Sequence, residues 1–280
     1  MADHRTGKWA SAILSAQNAD GTWGRMFHSM AQPSSAPLTT EQALRRLHAL
    51  GYTREDKPIR RCVNTMACCL RGERKIDTYW EKGIDWAMFE PLMLAAWILR
   101  FDPEQPDALV FARRWAKVAE AGFSTGEYDE AAWYTAYEAE FRRKDRHSRP
   151  LGFWAFYHGM LLPGLLSPDT ERALVKHILQ SGMYYIHPSP LCHPPAEFQS
   201  KQASYWLAAL EILAEYPCTR DELAFAAAWL HMNACPDGQW DFGSQANDKV
   251  YFPLSDTWRS KAVRKADCTE RVCRFLDKIT

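Results

Sequence analysis

Helical periodicity runs through almost the whole chain, and this feature most limits the folds that the chain can adopt. Apolar residues recur at spacings of three and four, whereas the alternation typical of strands is weak. Proline, glycine or capping residues bound these segments. The segments predicted to be helical are 5–17, 39–50, 57–72, 84–100, 105–121, 129–144, 152–162, 168–181, 197–215, 219–233, 256–266 and 268–279. Helices joined by short loops pack antiparallel, so the pattern predicts an all-α protein built from helical hairpins.

A segment near the start of the chain is repeated near its end. Residues 9–24 read WASAILSAQNADGTWG, and residues 226–243 read AAAWLHMNACPDGQWDFG. With one residue inserted, the alignment pairs Leu14 with Leu230, Gln17 with Asn233, Asp20-Gly21 with Asp237-Gly238, and Trp23 with Trp240. Asp-Gly permits a turn with positive φ, and the tryptophan can fold back over the end of the helix. The repeat favours a closed ring of hairpins over an open solenoid.

The first copy also resembles a known family. The pattern Gln-x3-Gly-x-Trp at Gln17, Gly21 and Trp23 looks like the QW motif of squalene–hopene and oxidosqualene cyclases. The following segments, TTEQALRRLHALG at 39–51 and DKPIRRCVNTMACCL at 56–70, are similar to that family too. This resemblance to the terpene cyclase and prenyltransferase superfamily implies a single α/α-toroid domain over residues 1–280, a barrel of about six helical hairpins.

The resemblance also implies which helices face the centre of the ring. Outer and inner helices alternate in such toroids, so segments 39–50, 84–100, 129–144 and 197–215 are expected to be inner. Segments 57–72, 105–121 and 219–233 are then outer. Residues 152–181 contain two predicted helices where the alternation expects one, and the ring is therefore expected to be irregular there.

An acidic cluster is the first candidate for chemistry. Glu127, Asp129 and Glu130 lie in GEYDEAAWYTAY at 126–137. Clustered carboxylates disfavour one another's charge, so one can stay protonated and act as an acid. The cluster is similar to the Asp-x-Asp-Asp motif of class II terpene cyclases, with glutamate at two positions, and this similarity implies Asp129 as the general acid. The alternative is that these residues complement the dipole of the helix that follows them.

Aromatic residues are the second candidate. The chain has 12 Trp, 11 Tyr and 13 Phe, more than one core normally requires. Their rings either pack between helices or line a cavity, where they could stabilise a carbocation or stack on a sugar. The candidate ligand-binding residues on the expected inner helices and near the chain end are Trp86, Glu90, Trp133, Tyr134, Tyr137, Tyr205 and Trp258.

The sequence favours neither a metal nor a cofactor. It has no DDxxD motif, no P-loop and no GxGxxG, so no cofactor is expected. His187, Cys192 and His193 in HPSPLCHPP carry side chains that can bind zinc. A proline-rich connecting loop explains the same residues without a metal.

The charge balance limits the expected partners, and the cysteine content bears on the expected cellular location. Lysine plus arginine and aspartate plus glutamate are 34 each, so no basic surface for nucleic acid is expected. Eight scattered cysteines and an N-terminus without an apolar h-region indicate a cytoplasmic protein. The uncharged segment 151–168 is expected to form a buried helix and loop, and a membrane-facing patch is the less favoured alternative.

Three functions remain open at this point. The first is a terpene cyclase-like enzyme that protonates an isoprenoid. The second is a lyase or hydrolase for acidic sugars on the same scaffold, which would use paired carboxylates and aromatic rings. The third is a toroid without catalytic activity that binds a small molecule in its central cavity.

Overall fold

The computed structural model describes residues 3–27, 37–78, 81–144, 151–153 and 155–280. These residues form eleven α-helices and no strand, so the prediction of an all-α fold is confirmed. The helices are α1 (Lys8–Ser15), α2 (Thr40–Ala49), α3 (Lys57–Leu70), α4 (Trp86–Phe101), α5 (Pro106–Gly122), α6 (Glu130–Phe141), α7 (Phe156–Leu161), α8 (Pro168–Ser181), α9 (Lys201–Leu213), α10 (Ala224–Met232) and α11 (Lys261–Ile279).

Several helices begin where the sequence provides a cap. Thr39 and Gln42 form a capping box at the start of α2, and Ser200 caps α9 through the main-chain N–H of Ala203. Pro106 and Pro168 occupy first turns, where a missing N–H costs no hydrogen bond. These local signals explain why the periodic segments predict the helices to within a few residues.

The last helix differs from its prediction. Segments 256–266 and 268–279 were expected to form two helices, but α11 is continuous and residues 256–260 form a loop before it. Asp267, at the expected break, is buried within the helix. Its carboxylate accepts hydrogen bonds from the main-chain N–H groups of Leu254 and Ser255, at 2.8 and 3.0 Å, and thereby fastens this loop to α11.

Five helices, α2, α4, α7, α9 and α11, contribute side chains to the wall of one cavity. Trp97 on α4 donates to Glu41 on α2, and α7 packs against both α4 and α9. The guanidinium of Arg271 on α11 then donates to the carboxylate of Glu211 on α9 at 2.8 Å. Arg274, one turn further along α11, donates to the carbonyl of Ala49 at the end of α2. Each of these helices therefore contacts the next, and the last contacts the first.

The other helices lie against this group. Helix α3 packs against α4 and α5, α5 against α6 and α8, α10 against α11, and α1 against α2. No residue of α6 lines either of the cavities described below, although segment 129–144 was expected to be inner. Helix α7, by contrast, contributes residues to both. The two helices expected within 152–181 are α7 and α8.

The first helix also contacts the loop that precedes α11. The main-chain N–H of Lys8 donates to the carboxylate of Asp256 at 2.7 Å, and the indole of Trp9 donates to the carbonyl of Ser255 at 3.2 Å. Nearby, the imidazole of His4 lies 3.1 Å from the carboxylate of Glu270 on α11. These contacts join elements from opposite parts of the sequence.

The uncharged segment 151–168 contains the short buried helix α7 and the loop to α8, with residue 154 outside the described residues. Within the described part of the chain, no helix has both the length and the apolar character needed to cross a membrane.

Candidate functional site

The acidic cluster lies at the surface and not at a cavity. Glu127, Asp129 and Glu130 are all exposed. The carboxylate of Asp129 is the N-cap of α6 and accepts from the main-chain N–H groups of Ala131 and Ala132, at 2.9 and 3.0 Å. Asp129 therefore has a local structural role, because a capping carboxylate satisfies N–H groups that would otherwise lack a partner at the helix start.

Three of the candidate aromatic residues belong to the packing around α6. Trp133 and Tyr137 are buried and stacked, with ring centroids 5.2 Å apart. Tyr137 also packs against Trp115 of α5, and Tyr134 lies edge-on to Trp133. None of the three lines either of the cavities described below.

Trp86, Glu90 and Trp258 also lie away from the main cavities. Trp86 and Glu90 line a shallow groove at the start of α4, where partial burial raises the pKa of Glu90. The indole of Trp258 donates to the carboxylate of Asp267 at 2.6 Å and packs against Phe252. Trp258 therefore helps to hold the loop before α11.

The two Asp-Gly turns have the same hydrogen-bonding geometry. The indole N–H of Trp23 donates to the carbonyl of Ile13 at 2.7 Å, and that of Trp240 donates to the carbonyl of Leu230, also at 2.7 Å. Both bonds span ten residues. Ile13, and not Leu14, is thus the counterpart of Leu230. The proposed insertion in the alignment is unnecessary.

Further bonds match in the two turns. The main-chain N–H groups of Trp23 and Trp240 each donate to a threonine hydroxyl at 3.0 Å, on Thr40 and Thr269 respectively. Gly21 and Gly238 both have positive φ, at 90° and 74°, as the Asp-Gly pair predicts.

The amides differ between the turns. The side chain of Gln17 donates to the carbonyls of Gly21 and Pro58, both at 2.9 Å, and so links its turn to α3. Asn233 donates instead to the carbonyl of Trp229 in its own helix. The amide of Gln17 therefore has no equivalent at Asn233.

The zinc hypothesis gains no support from the geometry. The Nδ1 atom of His187 lies 3.1 Å from the carbonyl of Ser189, and His193 is exposed. Among the described residues, no three histidine, cysteine, aspartate or glutamate side chains are grouped closely enough to hold a metal ion.

The structure instead brings five tyrosines together around a cavity of about 630 Å³. We call it the tyrosine cavity. Its rings are Tyr157, Tyr184, Tyr185, Tyr205 and Tyr251. Its lining includes residues from the first two turns of α2, α7 and α9. Only Tyr205 was among the candidates chosen from the sequence.

A buried carboxylate organises the inner wall of the tyrosine cavity. Glu41 is only 2% exposed, and its Oε1 atom accepts from the hydroxyl of Tyr157 at 2.8 Å. The same oxygen accepts from the indole of Trp97 at 3.2 Å and lies 3.4 Å from a guanidinium nitrogen of Arg45. The hydrogen bonds offset the cost of burying the charge, because buried charges require polar partners.

A tight hairpin forms a second wall. The main-chain N–H of Met183 donates to the carbonyl of His187 at 2.7 Å, and the N–H of His187 donates back to Met183 at 2.9 Å. Tyr184 and Tyr185 lie at the tip of this hairpin, with their ring centroids 4.2 Å apart. Tyr185 has φ at 77°, a left-handed conformation that is uncommon for a large side chain and tends to occur at functional sites.

The hydroxyls of Tyr157, Tyr185 and Tyr205 remain protonated at neutral pH. Burial raises the pKa of Tyr157 and of Tyr185 well above the usual range, and it raises the pKa of Tyr205 to about 12. A protonated phenol both donates and accepts hydrogen bonds. The cavity thus combines aromatic faces with neutral hydroxyl groups and the charges of Glu41 and Arg45.

A second cavity of about 320 Å³ adjoins the first and is lined in part by the C-terminal turns of α2, α4 and α11. We call it the rear cavity. Arg100, Arg271 and Arg274 line it together with His48, and Arg45 and Tyr251 line both cavities. Burial, and then the nearby charge of Arg100, lowers the pKa of His48 far below its usual value. His48 is therefore neutral at physiological pH.

Comparisons with protein-family models, with curated proteins and with solved structures found no match to this chain. The tyrosine cavity is therefore interpreted from its own chemistry.

Proposed function

We propose that the five helices around the cavities are the inner helices of an α/α toroid, and that this toroid binds a carbohydrate in the tyrosine cavity. Contacts from each inner helix to the next, and from α11 back to α2, support a closed ring. The matching Asp-Gly turns at α1 and α10 support a ring built from similar hairpins.

The observation that carries the carbohydrate proposal is the convergence of five tyrosines with a buried carboxylate and an arginine. Ligand pockets are mostly apolar and aromatic, with a few polar groups that fix the orientation of the ligand. A sugar has apolar ring faces that aromatic rings can cover, and its hydroxyls can bond to tyrosine hydroxyls and to Glu41. An isoprenoid chain offers no such partners, so it would cover the polar groups of the cavity wall without forming hydrogen bonds to them.

The acidic cluster at Asp129 does not carry this proposal, because its side chains are exposed. Hydrolysis or elimination of the bound sugar would instead have to use groups of the tyrosine cavity. Glu41 and the hydroxyl of Tyr157, 2.8 Å apart, are the pair available for proton transfer there.

Calorimetric titration with a panel of pyranose oligosaccharides tests the proposal. We expect at least one member to bind, and we expect Tyr205→Ala to weaken it tenfold or more, about 1.4 kcal/mol. Tyr134→Ala removes a half-buried tyrosine outside the cavity and is the matched control, with unchanged affinity expected. Absence of binding to every sugar, together with a co-purified lipid in native mass spectrometry, would instead support the isoprenoid interpretation.

A further inference from the structure

Arg45 occupies an unusual position between the two cavities. It belongs to α2, and only Arg45 and Tyr251 line both the tyrosine cavity and the rear cavity. Its guanidinium carbon lies 4.7 Å from the centre of the Phe156 ring. A ligand in the tyrosine cavity therefore has the side chain of Arg45 in the wall around it.

Arg45 has a single carboxylate contact among the described residues, and that contact is long. Its nearest carboxylate atom is Oε1 of Glu41, at 3.4 Å, and the same oxygen already accepts from Tyr157 and Trp97 at shorter distances. The Nε atom of Arg45 is buried and has no hydrogen-bond acceptor among the described residues. A buried donor without an acceptor carries a free-energy cost, so the described residues leave part of the hydrogen-bonding capacity of this guanidinium unused.

The other arginines that line the rear cavity are paired closely. Arg271 donates to both carboxylate oxygens of Glu211, at 2.8 and 3.0 Å, and Arg100 lies 2.9 Å from Glu215. Arg274 is paired with Glu270 on its own helix. Arg45 thus has the longest carboxylate contact of the four arginines, and it is the one that faces the tyrosine cavity.

The charged form of Arg45 is stable despite its burial. Burial alone would lower the pKa of the guanidinium, but Tyr251, Glu41 and Tyr157 lie beside it and the pKa is raised. The side chain therefore keeps its full set of N–H donors at any physiological pH.

We propose that the ligand of the tyrosine cavity is an acidic sugar, and that Arg45 is the specificity-determining residue that binds its carboxylate. This inference rests on the proposed carbohydrate function and names the class of sugar. The rings of the tyrosine cavity cover the pyranose, and the carboxylate at C6 of a uronic acid extends inward to the guanidinium. Arginine binds carboxylates with paired N–H donors, and such charge-assisted bonds are roughly twice as strong as neutral ones.

The arrangement also explains how a neutral sugar would be rejected. A neutral hydroxymethyl group at the same position supplies one weaker acceptor and forms no ion pair with the guanidinium, which then keeps only its long contact to Glu41. Sites that hold a polar group in place discriminate strongly against analogues that lack its partner, because the buried group is then left unpaired.

The test compares two matched oligosaccharides, an oligomer of glucuronic acid and the corresponding oligomer of glucose, by calorimetric titration. We expect the wild-type protein to bind the acidic oligomer at least 30-fold more tightly. Arg45→Gln should reduce this ratio to about threefold or less, and Arg45→Lys, which keeps the charge but loses the paired donors, should give an intermediate ratio. Arg100→Gln removes an arginine from the rear cavity only and should leave the ratio unchanged.

The outcomes separate this inference from the proposal on which it rests. Equal affinity of the wild-type protein for both oligomers, or an unchanged ratio in Arg45→Gln, would overturn the role of Arg45 while leaving carbohydrate binding intact. Binding of neither oligomer, nor of any other sugar, would overturn the carbohydrate proposal itself and the inference with it. If Arg45→Gln does not fold, the preference for the acidic over the neutral oligomer is compared between the wild-type protein and Arg45→Lys. An unchanged preference in Arg45→Lys would then contradict the role of Arg45.

Discussion

At the scale of single residues, Glu41 joins the features of the tyrosine cavity. One of its oxygens receives hydrogen bonds from Tyr157 and Trp97 and lies near Arg45, so a single carboxylate fixes side chains from three helices. Such a network rigidifies a site because each member restricts the others. The geometry of the cavity therefore depends on a residue that is itself almost inaccessible to solvent.

Asp129 allows a direct test of its capping role. Asp129→Ala removes the acceptor for two N–H groups at the start of α6, and we expect the free energy of unfolding to fall by about 1 kcal/mol in urea titrations. Ligand affinity should not change, because the residue is exposed and lies outside the cavities. Glu127→Ala is the control, with an expected effect within about 0.5 kcal/mol. A large loss of affinity in Asp129→Ala would show that the acidic cluster takes part in ligand binding.

The lowered pKa of His48 makes the free energy of unfolding depend on pH. The folded protein holds His48 neutral because burial and the charges of Arg100, Lys278 and Arg274 lower its pKa far below 6.5. The unfolded chain therefore binds a proton near pH 6.5 that the folded chain does not, and stability falls as the pH drops below that value. For this residue the loss is about 2 kcal/mol between pH 7.5 and pH 5.

His48→Gln isolates this contribution. Burial also lowers the pKa of His158, to about 3, and that of His177, so some dependence on pH should remain in the variant. Urea titrations at pH 7.5 and pH 5 should show that His48→Gln loses about 2 kcal/mol less than the wild-type protein over this interval. The same loss in both proteins would mean that His48 becomes protonated in the folded state.

At the scale of elements, the two Asp-Gly turns act in the same way at distant positions. Each tryptophan closes its turn by donating to a carbonyl at the end of the preceding helix, at 2.7 Å. Trp23→Phe and Trp240→Phe leave a buried carbonyl without this donor. We expect each substitution to lower the free energy of unfolding by about 2 kcal/mol, from the lost bond and the smaller ring.

The comparison between the two variants is the sharper part of this test. Since the bond lengths match, the two losses should agree within about 1 kcal/mol. Trp229→Phe is a suitable control because Trp229 lies near the second turn and makes ring contacts with Phe198 and Trp206. Its cost should come from packing alone. A loss confined to Trp23→Phe would show that the second turn does not contribute as the first one does.

The helices could be predicted from the sequence because their causes are local. Spacing of apolar residues, the capping box at Thr39 and the prolines at 106 and 168 all act within a few residues of the helix that they define. The break expected at Asp267 was wrong because a buried aspartate can bond to another segment and remain inside a helix.

The tyrosine cavity could not be predicted in the same way. Glu41, Tyr157, Tyr185 and Tyr251 come from four separate segments, and only the packing of the helices brings them together. Tyr205 was selected because it is an aromatic residue on segment 197–215, which was expected to be an inner helix. Gly182 was the local sign of a turn before Tyr184 and Tyr185, because glycine readily adopts the positive φ, here 84°, that ends α8.

At the scale of the whole molecule, the contacts between α1 and the loop before α11 join the beginning and the end of the described chain. Lys8, Trp9 and His4 each contact this region, and the guanidinium of Arg46 on α2 donates to the carbonyls of Val250 and Pro253 nearby. If the helices form a closed ring, this is the position where it closes. Because the joined elements are almost the whole chain apart, these contacts must offset the entropic cost of closing a long loop.

Removal of residues 1–16 tests the junction. The deletion removes α1, whose Ala10 and Ile13 are buried, together with the carbonyl of Ile13 that accepts from Trp23. We expect the free energy of unfolding to fall by at least 3 kcal/mol and Tm by about 10 °C, since burial of one large aliphatic side chain alone contributes 2–5 kcal/mol. Removal of residues 1 and 2 alone is the control and should change Tm by less than about 2 °C.

The same deletion shows whether the junction supports the cavity. Arg46 and the loop at Val250 and Tyr251 connect the junction to the wall of the tyrosine cavity, so loosening one should disturb the other. Thermal unfolding followed by circular dichroism gives Tm, and sugar titration of the shortened protein gives the affinity, which we expect to fall tenfold or more. An unchanged Tm would contradict closure at this point. A lower Tm with unchanged affinity would mean that the ring closes here but that the cavity wall is held independently. Asp248 could hold it, because its carboxylate accepts from three successive main-chain N–H groups at residues 250–252.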